Sequence, residues 1–334
     1  MPFPEQYRAL RESAAIGAVA PRSAIGVAGR DRAAYLHGLL TNDVQALAPG
    51  TGCYAAWLTP QGRMVTDLYV FESGDMILLD VPAELASATL QRLDQFLFSE
   101  DVQLTDLSSA LTPVCLHGPS AASILERVLG GAAGLGGWVE HQHARLQFAD
   151  APVRLARISQ LGVPGFCVYV DPAAEADLRA ALVTAGAIPA GPEAIEAARI
   201  EAGYPVFGVD MTEDTIPLEA GIEDRAISFT KGCYVGQEVI IRVLHRGHGR
   251  IARKLVGLRI GGDAPAGGAK IFAGDREVGF VTSAARSPRL GSIAMGYVHR
   301  DLVAPGTRVE LDASSGRIAA TVSRFPMTIS PEAR

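Results

Sequence analysis

Lys231-Gly232-Cys233-Tyr234-Val235-Gly236-Gln237-Glu238 sets one thiol beside a lysine and between two glycines, directly before the apolar run Val239-Ile240-Ile241. Glycine lets a backbone turn sharply and lets a ligand approach closely. A cation near a thiol favours the thiolate, the reactive form. The stretch therefore predicts a flexible turn entering a strand over 239–241. It carries a candidate catalytic sulfur, Cys233, and polar groups suited to gripping a ligand: Lys231, Tyr234 and Gln237. A second reading makes Cys233 a small buried hydrophobe at the strand entrance.

Immediately downstream, Arg242, His245, Arg246, His248, Arg250, Arg253 and Lys254 fall within 13 residues. Such a run is either a solvated face or a set of cations, Arg242 foremost, that holds an anionic ligand tail. The same cations suit an RNA phosphate backbone, although no aromatics are interleaved to stack bases. His141-x-His143 and His245-x-x-His248 lack a metal-site pattern and are read as structural. Upstream, Glu219 in Ile216-Pro217-Leu218-Glu219-Ala220 is a candidate acceptor facing a cleft, or a surface acid. Arg199 and Glu201 stand two apart in a helical pattern and so point to different faces.

Asp67 has a stronger local signal. In the predicted strand Met64 to Phe71, positions 65, 67, 69 and 71 share one face, which places a carboxylate among Val65, Tyr69 and Phe71. A carboxylate there is costly unless it is paired or bound to something, and desolvation pushes it towards useful acid–base behaviour. The alternative is a solvent-facing side of the strand.

The chain has 334 residues, 48% of them hydrophobic, and a net charge of −6. That length predicts two or three domains with ample cores, and the charge argues against a protein that coats nucleic acid. The four cysteines, at 53, 115, 167 and 233, form no CxxC and predict neither a disulfide framework nor a zinc site. A reducing, cytoplasmic setting follows. The N-terminus lacks signal-peptide character, and no apolar run approaches a membrane span.

Along the chain, strand-then-helix units recur. Ile25 to Gly29 leads into a helix over 31–40, and Val114 to Gly118 leads into another carrying Ala122, Leu125 and Leu129. Strands are predicted over 54–58, 64–71, 76–81, 153–158 and 166–170. Gly130 to Gly137 holds five glycines and predicts a mobile loop. Asp171-Pro172 starts a helix that ends near Gly186, and Pro192 starts one stopped by Gly203. From Leu255 to Val322 short apolar strands alternate with Gly/Pro turns, which predicts a small all-β barrel or sandwich. The expected layout is α+β over 1–249, in two related lobes of roughly 1–110 and 111–249, followed by a β-barrel over 250–330.

The octapeptide resembles the K-G-C-Y-x-G-Q-E motif of the YgfZ-type folate-binding proteins, a branch of the superfamily that contains the glycine cleavage T-protein, an aminomethyltransferase. Other segments are similar to that superfamily: Leu39 to Val44, Gln61 to Leu68, Arg253 to Leu258, Val278 to Ser283, Ser287-Pro288 and Ala294 to Val298. The resemblance implies lobes around a central folate channel, a C-terminal barrel, and bound tetrahydrofolate or another reduced folate. It implies that Asp67, in Thr66-Asp67-Leu68, stands where the T-protein has its catalytic carboxylate, near the folate nitrogens. It also implies that Cys167 replaces a glutamate that reads the pterin ring. The function so implied is support of iron–sulfur cluster assembly or repair, with client or assembly proteins as partners and tRNA as a further possible contact. The alternative is a tetrahydrofolate-dependent aminomethyl- or methyltransferase.

Overall fold

The computed structural model describes residues 1–245, 251–314 and 316–328. Two antiparallel-rich sheets face each other, and a closed barrel follows them. The first sheet has the order Thr51–Leu58, Met64–Glu72, Met76–Pro82, Arg22–Ala28, Gln103–Asp106. Its outer face buries Ile25, Val27, Ala55, Leu68, Val70 and Leu79 against the helices Arg32–Leu39 and Ala86–Asp94. The second sheet runs Ile188–Pro189, Ala15–Ile16, Thr112–His117, Gly165–Val170, Ala151–Arg157, His143–Phe148. Its outer face packs on the helices Ala121–Val128 and Glu175–Thr184, as strands that are apolar on both faces require.

The inner faces share one core. Tyr54, Tyr69, Phe71 and Leu78 of the first sheet meet Cys115, Ala156, Cys167 and Tyr169 of the second, and the segment from Phe207 to Ile240 closes over them. The site described below lies in this interface. Six strands from Arg253–Ile260 to Gly316–Ser323 form the barrel, filled by Leu258, Ile271, Val281, Ala294, Val298 and Leu311. This is a mixed α/β fold with a C-terminal barrel, as the strand spacing indicates. Among the described residues no helix is long and apolar enough to cross a membrane.

Three local expectations change, that of the cysteines among them. The run Val239-Ile240-Ile241 lies in the helix Gln237–His245, not in a strand. Ile240, Val243 and Leu244 pack on the inner core at i, i+3 and i+4, while exposed Glu238 and Arg242 pair across one turn. Three apolar residues cannot by themselves separate the two periods. Val65 leaves the face of Asp67 because the register slips there: Trp57 pairs with Thr66 but Leu58 with Met64. The bulged residue turns Val65 towards the outer core. The Gly130–Gly137 loop is anchored by the fully buried Leu135 and by a bridge from Gly130 to Gln147.

The cysteine expectation also changes. Cys115 and Cys167 form a disulfide. They are directly opposed on neighbouring antiparallel strands, with Cα atoms 4.1 Å apart, although 52 residues separate them in sequence. Sequence spacing alone hides this kind of proximity. Cys53 is half-buried and Cys233 is exposed, both as thiols.

Candidate functional site

Asp67 sits on the inner face of the central strand Met64–Glu72, 5% exposed. Its burial is offset by two donors. Arg22 Nη1 donates to Oδ1 at 3.0 Å, and the Tyr54 hydroxyl, one strand over, donates to Oδ2 at 2.9 Å. Arg22 also donates through Nε to Asp80 Oδ1 at 2.5 Å, and Tyr169 of the facing sheet donates to Asp80 Oδ2. One arginine thus bridges two buried carboxylates, and the Asp80–Tyr169 bond ties the two sheets together. Burial opposes the Arg22 charge, but Asp67 and Asp80 outweigh it and hold its pKa well above the ordinary value. Burial raises the pKa of Asp80 in spite of Arg22 and Tyr169.

A cavity of about 230 Å³ opens beside this network. Arg22, Asp67, Glu84, Gln160 and Tyr204 provide its polar wall, and Val206 and Phe207 are among its apolar lining. Gln160 Nε2 donates to the Tyr69 hydroxyl at 2.9 Å, which is 3.0 Å from the Tyr204 hydroxyl. Burial raises the pKa of Tyr69 and Tyr204, so both remain neutral donors at neutral pH. Behind Tyr204, the Arg225 guanidinium stacks 3.8 Å from its ring centroid and 5.5 Å from that of Tyr54. His141 lies 5.6 Å from the Tyr69 ring, with its Nδ1 buried and making no hydrogen bond. Burial first, and then the Arg225 charge, lowers its pKa to about 4.

The octapeptide does not line this cavity, nor do Glu219 and Arg242. The Lys231 ammonium donates to the carbonyls of His37, Leu40 and Asn42 at 2.5, 2.6 and 3.1 Å. It caps the C-terminal end of the helix Arg32–Leu39. Burial lowers its pKa to about 8. Tyr234 is buried in the inner core, with the Lys231 ammonium 5.1 Å from its ring centroid. Gln237 begins the helix. Cys233 is exposed, which matches accessible sulfur and not core packing.

Glu219, 9% exposed, accepts from Arg253 Nε at 3.1 Å and joins its short helix to the barrel. Arg242 makes a surface pair with Glu238, and Lys254 pairs with Glu223. The described part of the basic run is therefore matched by acids and presents no open phosphate-binding face. Arg246, His248, Arg250 and the His245 side chain lie outside the described residues. Arg199 and Glu201 do point to different faces, and both are 1% exposed and structural. Arg199 holds Asp210 and Ser283, while Glu201 accepts from Tyr7, Arg11 and Arg289.

Sequence reasoning missed Arg22, Asp80, Gln160, Tyr204 and Arg225. Asp80 carried a readable signal, an acid inside the apolar strand Met76-Ile77-Leu78-Leu79-Asp80-Val81. Arg22 starts a strand, Gln160 and Tyr204 lie in connecting segments and Arg225 lies in the short helix Glu223–Ala226, where no periodicity marks an inward side chain.

Comparison with known proteins gives a consistent picture. The family model described as "GCVT N-terminal domain" matches residues 3–231, and "Glycine cleavage T-protein C-terminal barrel domain" matches 253–328. The aminomethyltransferase of Geobacillus kaustophilus is 31% identical over 338 residues, covering 96% of this chain and 89% of its own length. That of Rubrobacter xylanophilus is 32% identical, covering 88% and 78%. The crystal structure of glycine cleavage system aminomethyltransferase T from Bartonella henselae superposes with a TM-score of 0.87 at 24% identity, covering 98% of this chain and 89% of that one. This last likeness establishes the fold.

Proposed function

Because the chain belongs to the glycine cleavage T-protein family, we propose that it binds a reduced folate, tetrahydrofolate or a one-carbon derivative, in the cavity walled by Asp67, and acts there in one-carbon transfer. The observation that carries this reading is the Arg22–Asp67–Tyr54 arrangement at the cavity wall. The lining fits a fused polar ring. Its apolar side takes the ring faces, and Gln160, Tyr204 and Asp67 offer donors and acceptors for the ring edge. The cavity is below the usual ligand-pocket range of roughly 300–1,000 Å³, so the remainder of a folate extends beyond it.

The bound folate supplies the nitrogen that carries the one-carbon unit. Asp67 is fixed by two donors and cannot swing, which is the condition for efficient positioning. Its oxygens keep further lone pairs for a nitrogen-bound proton or a developing positive charge. Arg22 holds the carboxylate in place. Cys167, in a disulfide, cannot receive ring N–H groups as a carboxylate does, so ring recognition falls to Gln160 and Tyr204.

The names of the relatives favour transfer over support of iron–sulfur assembly. The second reading has one observation of its own, the exposed Cys233 inside the K-G-C-Y-x-G-Q-E motif. On that reading the protein still binds folate, and Cys233 serves iron–sulfur client or assembly proteins. Single-turnover transfer of an aminomethyl group to tetrahydrofolate tests the first reading, and rescue of iron–sulfur enzyme activity in cells lacking the endogenous factor tests the second. Transfer that survives Cys233→Ala supports the first. Folate binding without transfer, together with rescue lost in Cys233→Ala, supports the second.

A further inference from the structure

A buried cation normally finds an anion, because an uncompensated charge in a low-dielectric interior is expensive. Several buried and part-buried arginines follow this rule. Arg22 has Asp67 and Asp80, Arg199 has Glu196 and Asp210, Arg11 has Glu201, and Arg253 has Glu219. Arg225 breaks it. Its guanidinium is stacked on Tyr204 and flanked by Tyr54, its Nε is buried without a hydrogen-bond partner, and no carboxylate among the described residues forms an ion pair with it. The aromatic contacts contribute cation–π attraction but supply no acceptor for the guanidinium N–H groups.

His141 adds a second unsatisfied group next to the same aromatic cluster. Its Nδ1 is buried with no hydrogen bond, the nearest acid being Glu140 Oε1 at 4.0 Å, and its backbone adopts φ of 66°, a left-handed conformation costly for a residue with a side chain. A neutral imidazole beside a guanidinium is compatible with an incoming anion, whereas two cations would repel each other in its absence. Tyr204 links the two places: its hydroxyl belongs to the cavity wall and its ring face carries Arg225.

We propose that Arg225, flanked by His141, is the receptor for a ligand carboxylate, and that on the folate reading it takes the glutamate end of the molecule whose ring lies beside Asp67. The inference rests on that reading for the ligand's identity but not for its charge. It reassigns the tail-holding role from the basic run after the octapeptide, whose described cations already have acids, to a cation that lacks one. The planar guanidinium fork suits a carboxylate in two parallel hydrogen bonds, which a lysine cannot copy.

The test uses the full chain and three probes: 5-formyltetrahydrofolate, tetrahydropterin (ring without carboxylates) and 4-aminobenzoylglutamate (carboxylates without ring). Binding is measured by calorimetry to wild type and to Arg225→Gln. The expected result is that Arg225→Gln binds the intact folate at least about tenfold more weakly, as loss of a charge-assisted pair predicts, and no longer binds 4-aminobenzoylglutamate. Tetrahydropterin affinity stays unchanged. Equal affinity of wild type and Arg225→Gln for both carboxylate probes overturns the proposal while leaving the folate reading standing. Failure of wild type to bind tetrahydropterin or the intact folate overturns the folate reading. In that case Arg225-dependent binding of 4-aminobenzoylglutamate alone upholds the anion site, and its absence removes that too. Should Arg225→Gln fail to fold, Arg225→Lys carries the test, since it keeps the charge but loses the fork. A several-fold loss confined to the carboxylate probes is expected, and wild-type affinity contradicts the proposal.

Discussion

Asn at position 67 preserves the side-chain size and a possible bond from Tyr54 but deletes the charge that Arg22 meets at 3.0 Å. Arg22 keeps Asp80, so the fold survives with a loss of about 1–3 kcal/mol. Folate-dependent transfer is expected to fall on the order of 10²–10⁴-fold, checked by single-turnover kinetics beside a denaturant melt. Lys231 gives a sharper contrast. Its place beside Cys233 in sequence suggests an activating cation, yet its ammonium holds three helix-end carbonyls. Lys231→Met is therefore expected to cost about 1–3 kcal/mol of stability and to leave the rate and pH profile of Cys233 alkylation unchanged. A rise in the pH needed for alkylation would restore the activating role. Asp67 was legible because an acid in an apolar strand stands out. Arg22 and Arg225 were not, because neither the first residue of a strand nor a one-turn helix has a period that says which cation turns inward.

Elements were legible where their period ran long enough. The central strands and the helix Pro192–Ala202 announce themselves through apolar content and a Pro start with a Gly stop. The segment after the octapeptide did not, because Val239-Ile240-Ile241 is too short and the helical signal lies in its pairing with Val243 and Leu244. The turn that delivers this helix depends on Gly236, at φ of 85°, where a side-chain methyl would fall 2.5 Å from the Thr59 carbonyl oxygen. Gly236→Ala combines a left-handed strain of about 1–3 kcal/mol with a backbone clash. Its thermal midpoint is expected to drop well below that of Gly232→Ala, whose added methyl meets only His37 Nε2 at 3.7 Å. Equal midpoints would show that the turn is not held as described.

At the scale of the whole molecule, the barrel could be read from its short strands, but the joints that fasten it could not. Arg199 donates to Asp210 and to Ser283 of the barrel, and Asp210 in turn accepts from Thr282 and Ser283. Arg199→Met strands Asp210 in the interior, and a loss of about 3–5 kcal/mol is expected in a denaturant melt. The paired cysteines and the short strands 15–16 and 188–189 were likewise hidden, since each is defined only by a distant partner. Buried His117 and half-buried His141 contribute to the pH response, as does His143, whose pKa burial also lowers. His117 has neither ring nitrogen in a good hydrogen bond, and burial lowers its pKa from 6.5 to about 4, as it does for His141. Both are neutral in the fold and take up protons on unfolding. Their contribution is present above about pH 6.5 and is lost as pH falls through about 4. Stability should therefore decline across that window, with a shallower slope in His117→Gln, and an unchanged slope would contradict the assignment. Calorimetric titration with tetrahydrofolate under anaerobic conditions shows whether the Asp67 cavity receives a reduced folate. Saturable binding of one molecule per chain, weakened in Asp67→Asn, is the predicted result. No measurable heat and no rise in thermal midpoint at saturating ligand would contradict it.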